Sequence, residues 1–313
     1  MDGEARCVRD VVEPRPTLEG AGVRLRRTIG THTLDYLDPF LLLDHFASDD
    51  PRDYIAGFPW HPHRGIETVT YMLAGEVDHH DSIGNRGTIG PGDIQWMTAG
   101  GGILHEEMPR PRDGRMAGFQ LWVNLPATLK MTRPRYQEVR ADQIPLVRRD
   151  DGSLVRVVAG EVDGVAGPVS EIHAEPSYLD VTLPPGTTFV HPVPRGHNAF
   201  AYVFEGEGRF GVACEVGCRG DAGDELVAAP DLVAAPDLVV FTDGDEVTVR
   251  ADEVATRFLL ASGRPLDEPI ARYGPFVMTT KEEIQAALDD LRADSFVWRD
   301  DPEWARRRQT WRG

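Results

Sequence analysis

Short apolar runs, each cut off by turn residues, dominate this chain and point to a β architecture. The 313 residues include 32 glycines and 24 prolines, and the turn signals recur at the spacing seen in sandwiches and barrels. A first series of predicted strands covers 22–27, 66–73, 93–97, 103–108 and 118–125. A second covers 154–159, 178–183, 199–204, 239–241, 246–250 and 257–261. The stretch TRPRYQEVRADQIP separates them and is polar and proline-punctuated, which predicts two β domains, 1–138 and 139–313. One helix is expected, over 281–292. Thr279 or Thr280 can cap it, Glu282 and Glu283 suit its first turn, and Ile284, Leu288 and Leu291 form an apolar stripe. The tandem VAAPDL copies at 227–232 and 233–238 read as a duplication in a surface loop, because two prolines so close argue against a central strand.

Charge and cysteine usage narrow the partners. Acidic side chains outnumber basic ones 51 to 33, for a formal charge of −18. Such a surface repels phosphate backbones and anionic lipid, so direct nucleic-acid binding is not expected. No run approaches the ~20 apolar residues of a membrane span, and the charged N-terminal stretch MDGEARCVRD has no apolar core. Three cysteines, Cys7, Cys214 and Cys218, are too few for a disulfide framework. A reduced, cytoplasmic protein is expected.

The histidines carry the chemistry. His61 and His63 form His-Pro-His, and roughly 40 residues on, after Gly100-Gly101-Gly102, His105 and Glu107 flank Glu106. On a strand, residues i and i+2 share a face, so each pair points one way. Two adjacent antiparallel strands presenting these pairs would surround a cation with three imidazoles and a carboxylate. That donor set suits a divalent transition metal better than Mg or Ca. Glu67 has the same parity as His61 and His63, so periodicity leaves it open as the carboxylate. A straight strand at ~3.3 Å per residue would start it about 13 Å from His63. Arg64 has the opposite parity and reads as a structural ion pair. His79, His80 and Asp81 border a turn at Ser82, Gly84 and Asn85 and read as loop-stabilising. His191 and His197 lack an equivalent partner pair, so the second barrel is expected to hold no metal.

The segments FPWHPHRGIETVTYMLAGEVDHHDSIGN, PGDIQWMTAGGGILHEEMP, FQLWVNLP and PRYQEV closely resemble the pirin family of the cupin superfamily. LDPFLLLDHF near the start and RYGPFVMTTKEEI near the end resemble it too, so the likeness spans essentially the whole chain. The resemblance implies two tandem, jelly-roll-like cupin β-barrels with a C-terminal helix. It further implies Fe2+, or another divalent transition metal, in the first barrel only, held by His61, His63, His105 and Glu107. In cupins generally the carboxylate ligand follows His-x-His closely, which would be Glu67; the pirin pattern favours Glu107 and leaves Glu67 a supporting role.

Two activities follow from the likeness. One is a quercetin 2,3-dioxygenase-like oxidoreductase that takes a small aromatic substrate of the flavonol type and O2, with Glu107 as the catalytic base. The other is a redox-sensing regulator that binds a protein partner, in transcriptional or metabolic control, without turnover.

Overall fold

A computed structural model of the chain describes residues 3–110, 114–212 and 232–300. It contains two compact β units, neither of which is a continuous half of the sequence. The first barrel is built from Pro16–Arg27, Phe40–Ala141 and the chain from Leu266 on. The second takes the chain up to Arg15, Thr28–Pro39 and Asp142–Pro265. The linear partition 1–138 and 139–313 differs from this at both ends of the chain and at Thr28–Pro39, because segments distant in sequence join each unit. The stretch read as a linker also contributes a strand: Arg135–Val139 pairs with Ile94–Thr98. Its half-exposed, polar composition hides that pairing.

In the first barrel, one sheet runs Arg135–Val139, Ile94–Thr98, Ile66–Ala74, Met116–Asn124, Phe40–Ser48, Val23–Arg27 and Arg15–Glu19. Its interior strand Ile66–Ala74 is buried at every position through Met72, as expected for a strand covered on both faces. A four-stranded sheet, Phe58–His63, Ile103–Arg110, Glu76–Asp81 and Arg86–Ile89, completes the barrel. The His-Pro-His motif therefore lies on an outer strand of that sheet, where a proline can be accommodated.

The helix Lys281–Arg292 belongs to this unit. Thr280 Oγ1 accepts from the Glu283 amide at 3.1 Å, and Glu283 Oε2 accepts from the Thr280 amide at 3.1 Å, a complete capping box. Ile284 and Ala287 pack with Phe276, Met278 and Phe296. Leu291, expected on the apolar stripe, is exposed instead, and the docked face ends one turn earlier.

The second barrel's main sheet orders Val8–Val12, Leu238–Phe241, Asn198–Phe210, Thr256–Gly263, Ser177–Leu183, Leu154–Ala159 and Leu146–Arg148. Thr188–Pro192 pairs with Glu246–Arg250 on the other side. The second VAAPDL copy is not a loop: Val233–Ala234 and Leu238–Phe241 both pair with Asn198–Phe210, and the two-residue and three-residue pairings leave the proline outside the ladder. Most of the first copy lies outside the described residues, as do Cys214 and Cys218. Cys7 is disulfide-bonded, contrary to the expectation of a wholly reduced chain, since three cysteines suffice for a single bridge. Among the described residues, no helix is long and apolar enough to cross a membrane.

Candidate metal centre

Antiparallel pairing sets His105 directly opposite His61 and Ile103 opposite His63. The three imidazoles converge, with candidate ligand nitrogens all within 4.8 Å of one another. Ring centroids are 4.3 Å apart for His61 and His105, 4.9 Å for His61 and His63, and 5.0 Å for His63 and His105. His63 and His105 are buried, while His61 is partly exposed at the mouth of the cluster.

The electrostatics favour neutral rings. Burial holds His63 and His105 well below the ordinary histidine pKa, and the neighbouring imidazoles reinforce it, against a smaller opposing pull on His63 from the Pro275 carbonyl. Burial also lowers His61, against a smaller opposing pull from the Pro59 carbonyl. His61 Nδ1 lies 3.0 Å from that carbonyl, an acceptor, so the proton sits on Nδ1 and the Nε2 lone pair is free for a cation. His63 Nδ1 and both nitrogens of His105 are buried without a hydrogen-bond partner. An unpaired buried polar group costs about 1–3 kcal/mol, so such a cluster calls for a ligand that can accept several lone pairs at once. Three neutral imidazoles fit a divalent transition ion.

Glu107 is placed differently. A register shift between His105 and Glu107 sets it opposite Phe58, and its carboxylate is not among the groups that converge within 4.8 Å. Burial pushes its pKa up to about 7, against a smaller downward pull from the Thr70 hydroxyl. Thr70 Oγ1 lies 2.7 Å from Gln120 Oε1 and 3.2 Å from Glu107 Oε1. The hydroxyl has one proton. It can go to Glu107 Oε1 or to Gln120 Oε1, and donated to Glu107 it favours the carboxylate.

Glu67 is committed elsewhere: it accepts from Trp96 Nε1 at 3.0 Å and Thr98 Oγ1 at 2.7 Å while almost wholly buried. Asp81 accepts from the amides of Ile83 and Asn85 and so closes the turn, as its loop position suggests. His79 is buried against the Glu138 carboxylate, and His80 pairs with Glu106. Arg64 is an ion pair, with Asp290 at 2.8 Å. Among the aromatics, Trp96 is core, Trp60 is exposed, and Trp122 meets His63 edge-on at 5.2 Å.

Thr70 and Gln120 escaped the reading of the sequence as site residues. The available signal was polar residues alternating within otherwise apolar strands. In the second barrel His191 stacks on Phe189 at 5.9 Å and joins no donor cluster; among the described residues the triad is the one such group.

The Pirin family model matches residues 22–123, and the model of the Pirin C-terminal cupin domain matches residues 178–297. The chain is also 48% identical over 292 residues to the Pirin-like protein of Caulobacter vibrioides, covering 93% of this chain and 99% of the relative. The chain belongs to the pirin family. This pirin chain is 41% identical over 292 residues to the Pirin of Homo sapiens, covering 93% of each. Among solved structures, Quercetin 2,3-dioxygenase from Acinetobacter baumannii has a TM-score of 0.80 at 34% identity, covering 93% of this chain and 98% of that one. The all-β tandem of cupin barrels expected from the sequence is therefore the fold of this pirin.

Proposed function

We propose that this pirin is a metal-dependent dioxygenase acting on flavonol-type aromatic substrates, with iron as the working metal and His61, His63, His105 and Glu107 as its ligands. The observation that carries the proposal is the convergence of three buried, neutral imidazoles, two of them with nitrogens that no protein group satisfies. The likeness to a structure titled as a quercetin 2,3-dioxygenase supports the substrate class.

When bound, the ion would supply a Lewis acid that stabilises a substrate oxyanion and leaves room for dioxygen. The chain's own groups do the rest. Glu107, through the carboxylate oxygen not given to the metal, would take the proton of a phenolic hydroxyl. Thr70 and Gln120 fix that carboxyl group by a hydrogen-bonded chain. Trp122 gives the centre an apolar wall beside His63 and limits water there.

The test is O2 consumption by metal-loaded protein with quercetin. Turnover in wild type, reduced by about 10²–10⁴-fold in Glu107→Gln, is the expected result. Protein shown to be loaded with iron, and in parallel with cobalt or nickel, that consumes no O2 would reject the dioxygenase and leave the redox-sensing role.

A further inference from the structure

We propose that Arg64 is a positioning residue for the histidine cluster, holding its two strands in register through contacts with the C-terminal segment. This rests on the metal-centre reading above. Arg64 directly follows His63, is 2% exposed, and spends its guanidinium on residues more than 220 positions away. Nη1 donates to Asp290 Oδ2 at 2.8 Å, and Nη2 donates to the Phe296 carbonyl at 2.9 Å. The guanidinium lies 4.3 Å above the Phe296 ring. Docking the helix did not require this, because Ile284 and Ala287 already pack on Phe276 and Met278. Burying a guanidinium is expensive unless its partners are well placed.

The same C-terminal segment also grips the strand that carries His105. The Trp298 amide donates to the Gly102 carbonyl at 2.9 Å, immediately before Ile103–Arg110 begins. Gly102 has φ +138°, and a Cβ there would collide with the Phe296 carbonyl oxygen. On the other strand, the Val277 amide donates to the Arg64 carbonyl at 3.0 Å, and Lys130 Nζ donates to the carbonyls of Gly65 and Val277 at 3.0 and 2.9 Å. Arg272 lies 5.1 Å from the ring of Trp122, whose edge meets His63. One segment thus contacts the backbone next to His63 and the backbone leading into His105. A shift of that segment changes the separation of the two rings, whatever it does to global stability.

Metal-free full-length protein titrated with Co(II) tests this by its visible absorption, alongside Arg64→Lys, Asp290→Asn and Asp290→Glu. Supporting outcomes are a shifted Co(II) spectrum and binding weakened by ~10-fold or more in Arg64→Lys and Asp290→Asn proteins that remain folded. Asp290→Glu, which retains the carboxylate, should lie closer to wild type. Wild-type affinity and spectrum in every folded variant would overturn the proposal. Should Arg64→Lys fail to fold, Asp290→Asn decides alone, since it leaves the arginine on the Phe296 carbonyl. Failure of the metal reading looks different: wild type takes up no Co(II), or His63→Ala binds it equally well, and both ideas then fall together.

Discussion

The two barrels use the same pairing of strands and fill it oppositely. In the first, His61 faces His105 across Phe58–His63 and Ile103–Arg110, and Phe58 faces Glu107. In the second, His191 faces Val247 across Thr188–Pro192 and Glu246–Arg250, and Phe189 faces Val249. His61-Pro62-His63 has its counterpart in His191-Pro192-Val193. One histidine of the three survives there, and valines stand where the other two and the carboxylate would be. The second interior is accordingly hydrocarbon, with Leu179, Val181, Phe189, Val247, Val249, Phe258 and Leu260 in one cluster. The first buries His63, His105, Glu67, Thr70 and Glu107 alongside its apolar clusters. A binding centre in a barrel displaces core, so one barrel can specialise in stability while the other tolerates buried polar groups.

The largest effect is expected from placing a first-barrel group in the second barrel. Val249→Glu puts an unpaired ionisable side chain into a fully buried hydrocarbon site and should cost roughly 3–5 kcal/mol by urea unfolding. A cost under about 1 kcal/mol would show that the second interior is not the dry core its packing suggests. The converse exchange, His63→Val, should abolish stoichiometric metal in purified protein. Metal retained at wild-type level in elemental analysis would break the proposed contrast between the barrels.

A pH experiment sharpens the same contrast. Burial depresses His191 in the second barrel and His45 in the first to about 4. Below the ordinary histidine pKa of about 6.5, the unfolded chain binds a proton at each site that the native state refuses until about pH 4. Stability is therefore full above that window and falls as pH drops through it, by on the order of 1–3 kcal/mol per histidine. Melting temperature against pH should decline less steeply in His191→Phe, and an unchanged slope would remove His191 from the acid response. The smallest effect concerns the cap of the C-terminal helix. Thr280→Ala should cost about 1 kcal/mol, read as a small loss in denaturant midpoint with unchanged m.

Much of the histidine cluster was legible in the chain because it is local. His61 with His63 is a period-two pair, and most of the barrel strands announce themselves by short apolar runs between turns. The helix start was visible in Thr280 and Glu283. Other elements gave no such signal. Arg135–Val139 is a partly exposed strand of polar composition, and its order comes from pairing with Ile94–Thr98. The bulge that sets Glu107 opposite Phe58 depends on how two strands meet.

Periodicity and residue chemistry were enough to establish that the protein is all-β and to single out His61, His63 and His105, whose imidazoles the fold brings together. These properties reside in neighbours along the chain, where alternation of side chains does not depend on the rest of the molecule. Which segments complete each barrel, and that Arg64 reaches Asp290 and Phe296, emerged only on folding. Those contacts join residues more than 220 positions apart, and no local propensity encodes which distant partner will satisfy a buried charge.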